Sequence, residues 1–307
     1  MRTSSAFVML GATVAVTGAI ALGGGAPLTA QRATPVWTAS LDAVRSVAAR
    51  VPGRRALRIN VVKFGESRRT KNVSVKGAAA EPSVQARTAF QIVFADGSIM
   101  VDSGMDQQVH TFFGRGVDEA YDPTAAAQVE RALKSARLIV FTHEHADHVA
   151  GVIHTPLAAE LAPKAMLTRV QLQTLLTTPQ VPEIKLDAQT ASRYLVFDYD
   201  TYFPLAPGVA LIKSSGHTPG SQMVYVALES GKDYLLIGDV AWHMDDVRLV
   251  AWKDAPWITE NREAVMDELR WLNDLSRTSR DLVIVSSHDD DQRKALIQRG
   301  VLGDRFE

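Results

Sequence analysis

Cysteine is absent from all 307 residues. That single absence excludes disulfide staples, thiolate metal ligands, a thiol nucleophile and a lipid-modified N-terminal cysteine. Net charge is nearly absent too, with 33 Lys and Arg against 34 Asp and Glu, so the chain as a whole has no pull toward nucleic acid. No internal repeat or low-complexity tract occurs, and no linker rich in Pro, Gly or Ser divides the chain. The G-x-S-x-G turn of a serine hydrolase is missing as well. What remains is ordinary for a soluble globular protein, 46% hydrophobic and 22% charged, and long enough to bury a sizeable core.

Two stretches depart from that average. Ala6 to Leu22 carries no charge, follows Arg2, and leads through GGGAPLTA to the small residue Ala30. This reads as an export signal over residues 1–30, leaving a mature domain over 31–307 that is periplasmic or secreted. The run is also close to the length of a spanning helix, so the alternative is an uncleaved membrane anchor with the domain outside the cytoplasm. From Arg32 to Lys76, eleven Lys and Arg face only Asp42 and Glu66. The expectation there is a solvated basic arm rather than a specific anion site.

Ser40 to Val51 predicts a short helix with Ser40 as N-cap. TAFQIVFADGSIMVDSG, from Thr88 to Gly104, alternates around Asp96-Gly97 and predicts a β-hairpin. Helices are expected over Ala125–Ala136, Ala165–Leu176 and Glu260–Leu275, the last capped by Thr259. Short apolar runs predict strands at Leu138–Phe141, Val209–Ile212, Met223–Ala227, Tyr234–Ile237 and Leu282–Val285, with Gly231 turning the third into the fourth. A final helix ends near Gly300. Strands in blocks with helices between them imply helices packed outside sheets.

Chemistry concentrates after those strands. THEHADHVAG puts His143, His145, Asp147 and His148 within six positions of a chain that holds eight histidines. His217 in SGHTPGS, Asp239 in IGDV and His288 in SSHDDD each follow another apolar run. A strand end therefore presents a coordinating side chain four times. One catalytic zinc ion takes three protein ligands and a water, so seven ligands suit two ions sharing a carboxylate. His110, His154 and His243 match no such pattern and read as structural histidines. Asp289-Asp290-Asp291 reads as a solvated helix start, where acids favour the N-terminus.

HxHxDH, Gly-His-Thr-Pro-Gly, a Gly-Asp after a strand and a later His, in that order from Thr88 to Asp291, resemble the metallo-β-lactamase superfamily. The resemblance implies an α/β fold, a four-layer αββα sandwich with metals at one edge. It implies that His143, His145 and His217 hold a first ion and that Asp147, His148 and His288 hold a second. Asp239 would bridge the two, and Asp102 in VDSG would lie behind the ligands and orient their loop. Two divalent ions, zinc being expected, would then supply a bridging hydroxide that attacks a carbonyl of a small-molecule substrate, with Asp147 orienting the nucleophile and handling protons. An acid at position 239 points toward the lactonase, thioesterase and phosphodiesterase branches rather than a true β-lactamase. SSHDDDQ resembles the His-Asp-x-x-Gln of acyl-homoserine lactonases, which makes an ester or lactone bond the expected target. Those lactonases carry a Tyr three residues after the bridging acid, where this chain has Trp242. An indole has a donor but no acidic hydroxyl, so Trp242 is expected to form an apolar wall of the substrate pocket. A mononuclear iron persulfide dioxygenase is the alternative from another reaction class.

Overall fold

A computed structural model describes residues 37–114 and 117–307; the segment read as an export signal lies outside the described residues. Among the described residues, eleven strands form two sheets. The first holds β1 (Arg58–Thr70), β2 (Pro82–Phe94), β3 (Gly97–Val101), β4 (Leu138–Val140), β5 (Ala165–Thr168) and β6 (Leu195–Phe197), in that spatial order. The second holds β7 (Tyr202–Ala206), β8 (Val209–Lys213), β9 (Gln222–Ala227), β10 (Asp233–Leu236) and β11 (Leu282–Val285), in the order β11-β10-β9-β8-β7.

Two-residue periodicity sorts the side chains into layers. In β8, Val209 and Leu211 enter the core between the sheets while Ala210 and Ile212 face the helices. In β9, Val224 and Val226 point inward and Met223 and Tyr225 outward. Phe90 and Ile92 of β2 meet them from the other sheet. Cutting such a side chain to alanine, as in Phe90→Ala, costs about 3–5 kcal/mol. Helices Leu41–Ala48, Met244–Leu249 and Arg262–Thr278 cover the second sheet. Pro123–Ser135, Ala146–Ile153 and Arg169–Thr177 cover the first. The result is the expected αββα sandwich.

Most local expectations hold. Ser40 caps its helix, accepting from Ala43 N. Phe94 pairs with Gly97 across the hairpin, where Gly97 takes φ +144°. Two of these local expectations fail. The span Ala165–Leu176 begins as strand β5 before turning helical at Arg169, because Thr168 and Gln171 form a capping box that starts the helix there. The long helix starts at Arg262 with Asn261 as its cap, not Thr259.

Over its described residues, 37–76, the basic stretch is not a free arm. Much of it is β1, paired with β2 from Arg58↔Val93 to Thr70↔Pro82. Its cations meet acids remote in sequence: Lys63 with Asp290 at 3.1 Å, Arg45 with Asp233 at 2.8 Å and Lys71 with Asp245 at 2.5 Å. Asp290 is buried among Lys63, Arg293 and Lys294 rather than solvated. Among the described residues, no helix is long and apolar enough to cross a membrane.

Candidate metal centre

Topology brings the candidate residues to one edge. β8, β10 and β11 run in the same direction, since β8 and β10 are both antiparallel to β9 and β10 is parallel to β11. The turns after them, carrying His217, Asp239 and His288, therefore emerge together. β3 is parallel to β4, so Asp102 and the cluster starting at His143 emerge together as well. Bonds across the gap join the two edges: Gln222 N donates to Thr142 O at 2.8 Å and Ala86 N to His288 O at 2.9 Å.

All seven residues converge. His143 Nε2 lies 3.1 Å from His145 Nδ1, which lies 3.2 Å from His217 Nε2. A tetrahedral ion with bonds of about 2.0–2.1 Å holds its ligand nitrogens about 3.3 Å apart. On the other side His148 Nε2 and His288 Nε2 each stand 3.6 Å from Asp147 Oδ2. Asp239 lies between the two sets. Its Oδ2 is 3.8 Å from His143 and 3.7 Å from His217, its Oδ1 is 3.3 Å from His148, and His288 Nε2 stands 3.1 Å from both oxygens.

The side chains fit divalent cations. Three imidazole nitrogens crowd one point, and His148 Nε2 and Asp239 Oδ1 are buried with no hydrogen-bond partner. Such orphaned atoms are costly unless something positive meets them. Burial holds the pKa of His143 well below the ordinary imidazole range and that of His145 down at about 3, so both offer neutral lone pairs. Burial pushes the Asp147 carboxyl up, but His148, Arg87 and His288 outweigh it and hold the group at about 2.

Groups behind the cluster fix its orientation. Asp102 is fully buried and takes φ +63°, a left-handed conformation that a non-glycine residue adopts at a cost. Its carboxylate accepts from Thr142 N at 2.7 Å and bonds His148 Nδ1 at 2.8 Å, which aims Nε2 at the centre. His217 Nδ1 sits 3.2 Å from Glu260 Oε2. His288 Nδ1 donates to the Ala86 carbonyl at 2.6 Å. Glu144 points away from the cluster; it accepts from Thr218 Oγ1 at 2.9 Å and clamps the His217 loop. Sequence reasoning missed Arg87, Glu144, Lys253 and Glu260. Glu144 alone had a visible signal, as the acid inside HEHADH.

A cavity of about 900 Å³ opens onto the cluster, lined by Arg87, Phe113, His145, Trp242, Trp257 and Ile258 among others. Phe112 and Trp257 are exposed at its mouth. Trp242 presents its ring to the cavity, and its Nε1 donates to Asp239 Oδ2 at 2.7 Å. Arg87 bonds Asp147 Oδ2 and Ser67 Oγ and lies 5.3 Å from the Phe113 ring centroid. The remaining histidines stay outside the site. His110 is near the Glu119 carbonyl, His154 pairs with Asp106, and His243 caps Met244–Leu249 by accepting from Asp245 N.

Residues 85–288 match the description "Metallo-beta-lactamase superfamily". Among solved structures, an N-acyl homoserine lactone hydrolase with N-hexanoyl-L-homoserine bound at its catalytic metal centre aligns with TM-score 0.62 and 14% identity, covering 78% of this chain and 96% of its own. A quorum-quenching N-acyl homoserine lactone lactonase gives 0.62, 15%, 80% and 97%. A dizinc quorum-quenching lactonase in complex with the product N-hexanoyl-L-homoserine gives 0.55, 14%, 77% and 90%. At such identities the likeness is one of fold. No curated protein matches the sequence.

Proposed function

The chain belongs to the metallo-beta-lactamase superfamily and is a metal-dependent hydrolase, and from that premise we propose that it is exported and cleaves ester or lactone bonds with two divalent ions, zinc being expected. One observation carries the reading: Asp239 lies between the two sets, with one oxygen toward His143 and His217, the other toward His148, and His288 at 3.1 Å from both. A shared carboxylate between two complete ligand sets is the arrangement for a pair of ions. In this reading His143, His145 and His217 hold one ion, Asp147, His148 and His288 hold the other, and Asp239 is common to both. Bound there, the ions would acidify a water and polarise the carbonyl of the bond to be cut.

The chain's own residues do the rest. Asp147, bonded by Arg87, orients the attacking water and accepts its proton. That proton passes to the alcohol oxygen as the acyl C–O bond breaks, and the acid formed departs as a carboxylate after giving its own proton to solvent. Trp242, Phe113 and Ile258 give the cavity apolar walls that exclude bulk water from the acyl portion. Lactonases among the structural neighbours favour a lactone, whereas Trp242 offers a donor that is already engaged by Asp239.

The decisive experiment is a panel of lactones, aryl esters, thioesters, β-lactams and phosphodiesters presented to protein purified without chelator, with its metal content measured. Ester or lactone turnover with two ions per chain is expected. Turnover of phosphodiesters alone, or a single ion with all ligands intact, would refute the reading. N-terminal sequencing of the natural product should begin near Gln31; an intact Met1 in a membrane fraction would replace the cleaved signal by an anchor.

A further inference from the structure

Lys253 is 1% exposed, in a stretch, VAWKDAPW, that gives no hint of a role. A buried ammonium is costly unless every proton is matched. Here all three are: Nζ donates to the Asp239 carbonyl at 2.8 Å and the Val240 carbonyl at 2.9 Å, and stands 3.1 Å from Glu260 Oε2. The same Glu260 oxygen meets His217 Nδ1 at 3.2 Å. One side chain thus touches the backbone of the turn after β10 and, through one carboxylate, the imidazole on the turn after β8. Nζ also lies 5.7 Å from the Trp242 ring centroid, and Trp242 in turn bonds Asp239.

We infer that Lys253 is a positioning residue that, with Glu260, locks His217 and Asp239 into one rigid unit and thereby sets metal affinity. The inference rests on the reading of His217 and Asp239 as metal ligands. The physical case is one of coupling. β8 and β10 are not neighbours, since β9 lies between them, and no ladder bond fixes the distance between their turns. Glu260 fixes the ring orientation of His217 so that Nε2 faces His145 and Asp239. Lys253 fixes Glu260 to the backbone of Asp239 itself. Removing the ammonium leaves two buried carbonyls and a buried carboxylate short of a partner, and each would relax toward other donors. Groups of this kind behind a ligand typically change metal affinity by about ten- to a hundredfold when lost.

The test uses the whole chain and three variants: Lys253→Met, Glu260→Gln and the double. Zinc affinity is measured by competition with a chromophoric chelator, the visible spectrum of the cobalt-substituted protein reports ligand geometry, and the unfolding midpoint is taken metal-free. Each single variant should lose about ten- to a hundredfold in zinc affinity and shift the cobalt bands. The double should lose no more than the worse single, because both act through one chain of contacts. A lysine that merely filled the core would lower the metal-free midpoint and leave affinity and spectrum alone; that result overturns the proposal, as does a double whose losses multiply. Should Lys253→Met fail to fold, isosteric Glu260→Gln decides alone, and unchanged affinity there overturns it. Wild-type protein that takes up no metal would overturn the functional reading and this proposal together, whereas normal uptake by wild type and variants alike overturns only the latter.

Discussion

Asp102→Asn probes the acid behind the cluster with little else disturbed. Asparagine matches aspartate in volume and tolerates the φ of +63° observed there. It cannot match the bonding. The carboxylate accepts from Thr142 N at 2.7 Å, meets Thr142 Oγ1 at 2.9 and 3.1 Å, and bonds His148 Nδ1 at 2.8 Å. An amide has one oxygen, so its NH2 must face either the Thr142 amide or the protonated Nδ1, donor against donor. A hydrogen bond to a charged group is worth about 1.5–3 kcal/mol, which corresponds to roughly ten- to a hundredfold in an equilibrium constant. On the proposed assignment the loss should fall on the ion at Asp147, His148 and His288, because His148 would be the ligand left unaimed. Calorimetric titration of metal-free protein should show that binding step weakened by that factor, with the step at His143, His145 and His217 changed far less. Asp102→Ala adds about 1–2 kcal/mol for the left-handed backbone and should lower the unfolding midpoint further. If both steps in the asparagine variant agree with wild type within twofold, the orienting role of Asp102 is refuted.

Asp239→Asn should weaken both ions, whereas His288→Ala should chiefly empty one; metal analysis after dialysis distinguishes the two, and equal patterns would discard the bridging assignment. Trp242→Phe keeps an aromatic wall but removes the donor 2.7 Å from Asp239; about 1.5 kcal/mol of lost bonding should lower kcat roughly tenfold with KM little altered, while Trp242→Ala should raise KM too. Burial pushes the Glu268 carboxyl up to about 8 from 4.5, so the folded state holds this proton more tightly than the unfolded one. Its stabilising contribution is complete below about pH 4.5 and is lost as pH rises toward 8. Glu268→Gln retains an oxygen for Gly216 N and should therefore flatten the decline in unfolding free energy across that window; a pH profile parallel to wild type would contradict this.

The fold and the site were legible in the sequence to different depths. Strands whose alternation meets two faces, such as Val209–Lys213 and Gln222–Ala227, announce themselves because every second residue has a fixed destination. β1 did not, because its Lys and Arg residues dilute the apolar signal and their acid partners, Glu119, Asp290 and Glu307, lie far along the chain. Propensity likewise could not separate β5 from the helix that follows it, since AMLTRVQLQTLL suits either until Thr168 is seen to cap. The seven clustered residues were readable because each follows a strand at close range. Arg87, Lys253 and Glu260 were not. Each acts by a side chain crossing from an element whose own pattern is explained without it, so no spacing rule marks it.

Set side by side, the groups that escaped the sequence complete an electrostatic pattern. Each acidic residue of the cluster is backed by a cation: Arg87 on Asp147 and Lys253 on the backbone of Asp239. Two of the imidazoles are backed by acids: Asp102 on His148 and Glu260 on His217. Among these four groups the two cations offset the two acids, so the set orients the cluster without adding net charge, while Glu144 is turned away onto Thr218 and Gly220. With two divalent ions bound, as proposed, the carboxylates of Asp147 and Asp239 offset only half of the metal charge. The surplus faces the cavity walled by Trp242 and Phe113, where little water screens it. A neutral carbonyl gains little from such a field, whereas the negative oxygen that develops as water adds gains much. In the proposed reaction that difference, rather than tight substrate binding, would lower the barrier. A neutral outer layer is what preserves it: an unpaired extra carboxylate there would spend the positive field on the ground state.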